Sequence, residues 1–83
     1  MLLKDTIEMM TSSDYKERFK AEYYQLATRY KSLYKMLMHW DNTELDFLPT
    51  CPRSTYNMQL KIMEEYLAIL ELRAIAENIE LRC

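Results

Sequence analysis

The sequence predicts an all-α protein, an antiparallel two-helix hairpin with a proline-containing connecting loop that assembles into a homo-oligomeric helical bundle. Two stretches of the 83-residue chain repeat apolar residues at alternating spacings of four and three, which is the period of a helix face. A segment with both prolines separates these stretches, and the chain contains no glycine. We therefore expect a single helical-hairpin domain over residues 1–83.

The segment before the first long helix is expected to be an extension, residues 1–13. Met10 is an alternative start of the chain, whereas four apolar residues favour a short extra helix: Leu2, Leu3, Ile7 and Met10. The polar cluster at 11–14 supplies an N-cap, and Glu17, three residues after Asp14, completes a capping box. Helix one is therefore predicted over about 14–40.

Helix one carries an unbroken heptad stripe: Phe19, Tyr23, Leu26, Tyr30, Leu33, Leu37 and Trp40. Its two tyrosines are expected in the core with their hydroxyls at the rim. The connecting loop is predicted at 41–53, because Pro49 and Pro52 prevent another helix before residue 52. Apolar loop residues predict a plug over the end of the hairpin: Leu45, Phe47 and Leu48.

Helix two is predicted over about 54–81 and has two apolar stripes, of which one hairpin partner covers only one. The second stripe should be buried against another subunit, because monomers rarely expose long apolar patches. A partner of different sequence is the alternative. The residues predicted at an oligomer interface are Tyr24, Tyr34, Ile62, Tyr66, Ile69, Leu72 and Ile79.

The charge and composition of the chain exclude several classes of function. The formal net charge of -2 gives no global attraction to duplex nucleic acid, and the missing glycines exclude loops that cradle phosphates. Helix one has an excess of basic residues and helix two of acidic ones, which favours their antiparallel packing or contact between subunits. No cofactor is expected.

Neither metal binding nor thiol chemistry is predicted. His39 is the one histidine, and its place at the end of helix one fits the helix dipole better than a metal site. Cys51 and Cys83 are expected to be free thiols in a reducing compartment, Cys51 as a cap or core residue. The chain lacks an apolar run of bilayer length and a signal peptide, so we expect an intracellular protein with no membrane partner.

Aromatic and arginine side chains are the candidates for ligand binding, because a nucleotide needs stacking for its base and charged donors for its phosphate. Packing and surface solubility are the alternative roles for these residues. The candidates are Trp40, Arg53 and Tyr56 at the loop end, with Arg29 and Arg73 further along the helices. No catalytic residue is predicted.

Several short motifs carry a family resemblance: Tyr15-Lys16-Glu17-Arg18, Leu45-Asp46-Phe47-Leu48, Cys51-Pro52, Gln59-Leu60, the segment 63–70 and Arg73-Ala74. With Glu22, Leu26, Arg29 and Leu33 they resemble the small helical-hairpin accessory proteins of tailed gut phages, related to a crAss-like phage protein. The resemblance covers roughly residues 15–81. It implies a small accessory phage protein without catalytic residues, located in the cytoplasm of the infected bacterial host.

The implied architecture is analogous to the anti-CBASS and anti-Thoeris hairpin sponges of phages, which trap nucleotide messengers of host immunity. The leading hypothesis is therefore a counter-defence protein that binds such a messenger without cleaving it. One alternative is an inhibitor of a host defence nuclease, with an acidic loop that mimics phosphates: Asp41, Glu44 and Asp46. A phage structural or assembly factor is another.

Overall fold

The computed structural model describes residues 1–81 and contains only helices as regular structure over that range. A 3-10 helix at Leu3–Thr6 runs into the short helix α1, Ile7–Met10, and two long helices follow: α2 at Tyr15–Asp41 and α3 at Arg53–Ala76. Helices α2 and α3 pack together in a molecule of 43 × 24 × 19 Å. The all-α prediction is confirmed.

The start of α2 is capped as the sequence predicts, but without the capping box. The Asp14 carboxylate accepts a hydrogen bond from the Lys16 N–H at 3.0 Å, which satisfies one of the first free amides of the helix. The Asp14 N–H donates to the Ser12 hydroxyl at 3.0 Å. Glu17 is therefore left to pair with Lys20, at 3.7 Å, instead of reaching back to the cap.

Helix α3 ends at Ala76, short of the predicted end near residue 81. Asn78 has a left-handed backbone with φ of 56°, and the Ile79 N–H donates to the Ala74 carbonyl at 2.8 Å. This is a Schellman cap, in which asparagine replaces the usual glycine. Thr43 takes the same left-handed position after α2, also with φ of 56°. Both long helices thus end in the same way in a chain that has no glycine.

The apolar core lies at the end of the hairpin where α2 begins and α3 ends. It consists of Phe19, Leu70, Ala74 and Ile79, against which Tyr23, Leu26 and Leu81 pack. Ile79 was expected at an oligomer interface, but it is only 6% exposed. The turn at Asn78 folds the chain back and inserts this side chain between the helices.

The N-terminal segment packs along α2, on a side that α3 does not cover. Thr6 is fully buried there, and its hydroxyl accepts a hydrogen bond from the Gln25 amide at 2.9 Å. Tyr24, the residue before Gln25, is 8% exposed. This tyrosine is therefore buried within the chain, contrary to its predicted place at a subunit interface.

Tyrosine hydroxyls and glutamates join the two long helices. The opposite helix charges do not form lysine–glutamate pairs between α2 and α3 within residues 1–81; hydroxyl donors take that role instead. The pairs are Tyr15–Glu77 at 2.6 Å, Tyr23–Glu71 at 2.9 Å, Tyr30–Glu64 at 2.6 Å and Tyr66–Glu22. Their order along the two helices is that of an antiparallel hairpin.

The connection between α2 and α3 does not form the predicted plug. Leu48 is 90% exposed and Phe47 is also largely in solvent, while Leu45 is half-buried. Trp40 and Tyr56 already fill the space between the two helix ends at this point. The apolar loop residues therefore remain on the outside.

Candidate functional site

Three of the predicted ligand residues meet at the loop end of the hairpin. Trp40, in the last turn of α2, and Tyr56, in the first turn of α3, pack edge to face with ring centroids 6.1 Å apart and an interplanar angle of 77°. The guanidinium carbon of Arg53 lies 5.5 Å from the centroid of the Trp40 ring. Three of the five residues predicted to bind a ligand therefore lie close together, and their role in binding stays a prediction.

Three of the five N–H donors of Arg53 are engaged in this cluster. Its two terminal nitrogens donate to the two carboxylate oxygens of Asp41, the second at 3.2 Å, and its Nε donates to the Asn57 side chain at 3.0 Å. The same pairing holds the pKa of the Asp41 carboxyl below its usual range. Because a bidentate carboxylate uses the planar fork of the guanidinium, Arg53 fastens the two helix ends and offers little charge to a ligand.

The remaining arginine candidates lie elsewhere. Arg73 is at the opposite end of the hairpin, where it donates to the Tyr15 hydroxyl at 2.8 Å and to Glu77 at 3.2 Å, with its guanidinium 5.0 Å from the Phe19 ring. Arg29 is exposed on α2 and forms no ion pair or hydrogen bond within residues 1–81. The five predicted ligand residues therefore do not form one site.

A groove along α2 is the better candidate. It has a volume of about 520 Å³ and runs between the N-terminal segment and the tyrosine flank of the hairpin. The small side chain of Ala27 lies in it, together with Tyr23, Thr28, Tyr30, Lys31 and Lys35. The Thr28 hydroxyl donates to the Met1 carbonyl at 3.0 Å, which ties the N-terminal segment to this edge.

A smaller recess beside the groove combines one anchored tyrosine ring with two lysines that form no ion pair within residues 1–81. Tyr30 and Tyr34 lie with ring centroids 6.2 Å apart and planes inclined by 33°, and Tyr30 is held by its bond to Glu64. The hydrogen bond to this carboxylate raises the pKa of the Tyr30 hydroxyl above its ordinary 10.0, so the hydroxyl stays protonated to a higher pH. Lys31 and Lys35, which share a recess of about 280 Å³ with these rings, form no ion pair with residues 1–81.

Sequence reasoning missed this groove, although a signal was present. Tyr30 and Tyr34 are four residues apart, as are Lys31 and Lys35, so each pair shares one face of a helix. Two such adjacent pairs place aromatic and positive side chains next to each other. The sequence-based candidates are aromatic and arginine side chains, and they include neither of these lysines; Tyr34 is predicted at an oligomer interface instead.

Residues 1–81 give little support for a metal site or for a reactive thiol. No three residues among the usual metal ligands come together there, and His39 lies 3.7 Å from Glu44. Cys51 is exposed with a free thiol, and Cys83 lies outside the described residues. No helix of that range is both long and apolar enough to cross a bilayer.

Comparison with known protein families identifies the family of this chain. A family model described as Sequestin matches residues 13–76, which include all of α2 and α3. The chain belongs to the Sequestin family. No curated protein and no solved structure matches it.

Membership in the Sequestin family indicates a sequestering, ligand-binding role in place of a catalytic one. The tyrosine and lysine residues of the groove lie inside the matched segment, as do Trp40 and Arg53 of the loop end. The N-terminal wall of the groove lies before it. The helical hairpin and the side chains on α2 are thus the parts that the Sequestin match includes.

Proposed function

We propose that this protein is a phage counter-defence protein that sequesters a nucleotide immune messenger in the cytoplasm of the infected bacterial host. The messenger is a cyclic oligonucleotide or an ADP-ribose derivative, and it is held without being cleaved. The observation that carries this proposal is the groove on α2 together with the smaller recess beside it. In that recess the rings of Tyr30 and Tyr34 adjoin two lysines that form no ion pair within residues 1–81.

The groove has the chemistry that such a ligand requires. A purine base stacks on an aromatic ring, and the exposed Tyr34 offers one beside the fixed ring of Tyr30. Lys31 and Lys35 are ammonium donors for phosphate oxygens, and neither is neutralised by a carboxylate within residues 1–81. The volume of about 520 Å³ lies in the range of small-molecule sites.

The first experiment incubates the purified protein with cyclic di- and trinucleotides and with cyclic ADP-ribose isomers, and follows binding by calorimetry. We expect one class to bind, and heat denaturation to release it intact, because the groove holds no acid–base pair or metal centre for hydrolysis. Recovery of a degraded nucleotide would contradict the non-catalytic role. The absence of binding to every messenger would overturn the proposal.

Paired variants locate the site. We expect Lys31→Gln and Lys35→Gln each to weaken binding of the messenger about tenfold, which corresponds to about 1.4 kcal/mol for one charged contact. The matched control is Arg29→Gln, which removes the same charge from α2 two residues before Lys31, on a different side of the helix. Equal losses in all three variants would show that net charge, not the groove, determines affinity.

Loop-end variants separate the two candidate sites. Arg53→Ala should leave affinity for the messenger nearly unchanged, because its guanidinium is already bound by Asp41 and Asn57. Loss of binding in Arg53→Ala, with wild-type affinity in Lys31→Gln and Lys35→Gln, would instead assign the ligand to the loop end.

A protein-binding inhibitor of a host defence nuclease is the second candidate, and the exposed apolar face of α3 is the observation that favours it. The acidic loop gives it less support, since Asp41 pairs with Arg53 and Glu44 lies near His39. Co-purification of a host nuclease by a protein that binds no messenger would favour this function over sequestration.

A further inference from the structure

Helix α3 is apolar on two opposite sides. One side carries Met63, Leu70 and Ala74, which are buried against α2. The other side exposes Met58, Ile62, Ile69 and Leu72, with Ile62 at 63% and Leu72 at 67% of their full accessibility. We call these four residues the outer face of α3. A helix that is apolar on both sides is normally buried on both sides.

No other helix of residues 1–81 covers the outer face. Within that range α3 packs against α2 alone, while the 3-10 helix and α1 pack on α2. The interior that remains is small for a stable domain, because only eight apolar residues among residues 1–81 are buried and two of them are alanines. Chains of this size commonly gain the missing stability from disulfides, metals or association with further subunits. Cys51 is free, and the described residues hold no metal cluster.

The outer face is nearly symmetric about Glu65. Met58 lies seven residues before Glu65 and Leu72 seven after it, whereas Ile62 lies three before and Ile69 four after. A two-fold axis beside Glu65 would therefore bring Met58 of one copy against Leu72 of the other, and Ile62 against Ile69. Such self-complementarity is what an isologous interface requires.

The charges on the outer face fit the same axis. Two copies of Glu65 meet at the centre, and on their own they would repel each other. Lys61, one turn before Glu65, is placed to reach the carboxylate of the other copy. Neither Lys61 nor Glu65 forms an ion pair within residues 1–81, so both charges are available for this contact.

We propose that the outer face of α3 is the interface of a homodimer in which two α3 helices pack antiparallel about a two-fold axis beside Glu65, giving a four-helix arrangement. A second copy is the occupant because the face complements itself in both apolar pattern and charge. The ligand groove on α2 is formed by other residues, so the dimer and the binding of a messenger are independent of each other.

The mass in solution is the first test. Light scattering during gel filtration should give twice the 10.1 kDa of one chain, falling towards the monomer on dilution. Ile62→Glu and Ile69→Glu should shift the protein to the monomer, with a dimer dissociation constant at least a hundredfold higher. A wild-type protein that remains a monomer at every concentration, or binds only a different protein, would overturn the proposal.

Charge variants keep the proposal testable where the apolar variants fail to fold. Lys61→Glu and Glu65→Lys are exposed changes that should each weaken the dimer. Mixing the two single variants should restore it, because one outer face is then wholly acidic and the other wholly basic. A mixture that dimerises no better than either variant alone would remove Lys61 and Glu65 from the interface.

Crosslinking tests the two-fold axis itself. In a chain with Cys51→Ser and Cys83→Ser, we expect Glu65→Cys to form a disulfide dimer rapidly, since the residue meets its own copy at the axis. The neighbouring Glu64→Cys is the matched control, and it should not crosslink because residue 64 faces Tyr30 of α2. Equal crosslinking of both variants would contradict the antiparallel register.

Discussion

The two ends of the hairpin are stabilised by different interactions. At the end where α2 begins and α3 ends, a packed apolar core is formed by Phe19, Leu70, Ala74 and Ile79. At the loop end, Trp40 and Arg53 belong to an aromatic and ionic cluster on the surface, and the adjoining loop leaves Leu48 in solvent. Burial of apolar side chains therefore supports the fold at the first end, whereas an aromatic contact and an ion pair join the helices at the loop end.

The largest effect is expected from the core. Leu70→Ala should lower the free energy of unfolding by about 3 kcal/mol, because the leucine is completely buried and its removal leaves a cavity. Leu48→Ala makes the same chemical change at the loop end and should alter stability by less than about 0.5 kcal/mol. Denaturant unfolding of both variants measures the contrast, and equal losses would show that the loop leucine is also packed.

The pH dependence of stability should reveal the polar contacts along the hairpin, which an apolar core does not have. The bond to Glu77 raises the pKa of the Tyr15 hydroxyl above its ordinary 10.0, so its stabilising effect is present below that pH and is lost as the pH rises through the folded pKa. Glu64 and Glu22 do the same to Tyr30 and Tyr66. Alkaline pH should therefore weaken the α2–α3 contacts that depend on tyrosine.

Low pH should remove the stability that the paired carboxylates contribute. Arg53 lowers the pKa of Asp41 below its ordinary 3.8, and Tyr15 and Arg73 lower that of Glu77 below 4.5. Stability from these groups is present above the ordinary values and is lost as the pH falls through the lower folded values. Circular dichroism across a pH series, with tyrosine absorbance in parallel, should show a broad plateau between the two losses. If the protein unfolded at a pH well below the onset of tyrosine ionisation, the predicted role of the tyrosine hydroxyls in alkaline unfolding would be contradicted.

The smallest effect is expected at the loop end. Arg53→Gln removes the bidentate contact with Asp41 and the cation over Trp40, so the melting temperature should fall, but by less than in Leu70→Ala. Arg53→Lys keeps the charge without the planar fork, and it should recover only part of the loss. Full recovery in Arg53→Lys would show that charge alone, without the fork geometry, holds the helix ends together.

Much of the hairpin could be predicted because its signals are local. The heptad stripe and Asp14 set α2 within about one residue of its observed bounds, Tyr15–Asp41. The end of α3 was missed because Asn78 takes a left-handed conformation that sequence patterns assign mainly to glycine. The position of Ile79 follows from that turn and could not be foreseen without it.

The candidate site was predictable only in part. The sequence places Trp40, Arg53 and Tyr56 beside the same loop, so their clustering could be predicted. The ion pair of Arg53 with Asp41 could not, because it depends on how the two helix ends meet. The groove on α2 depends on where residues 1–10 pack, and the turn that directs them has no distinctive spacing. The sequence does show that the tyrosines and the lysines beside the groove form two pairs with the spacing of one helix face. Neither pair alone identifies a ligand site.

The tyrosine–glutamate bonds between α2 and α3 give the hairpin an uneven electric field. Because neutral hydroxyls satisfy Glu64, Glu71 and Glu77, the acidic groups of α3 do not consume the lysines of α2. Helix α2 therefore keeps its excess of positive charge, with six basic against three acidic residues, whereas α3 has three of each. An anion diffusing nearby is drawn towards the α2 side before any contact forms, and the rate of its capture decreases as added salt shortens the range of that attraction.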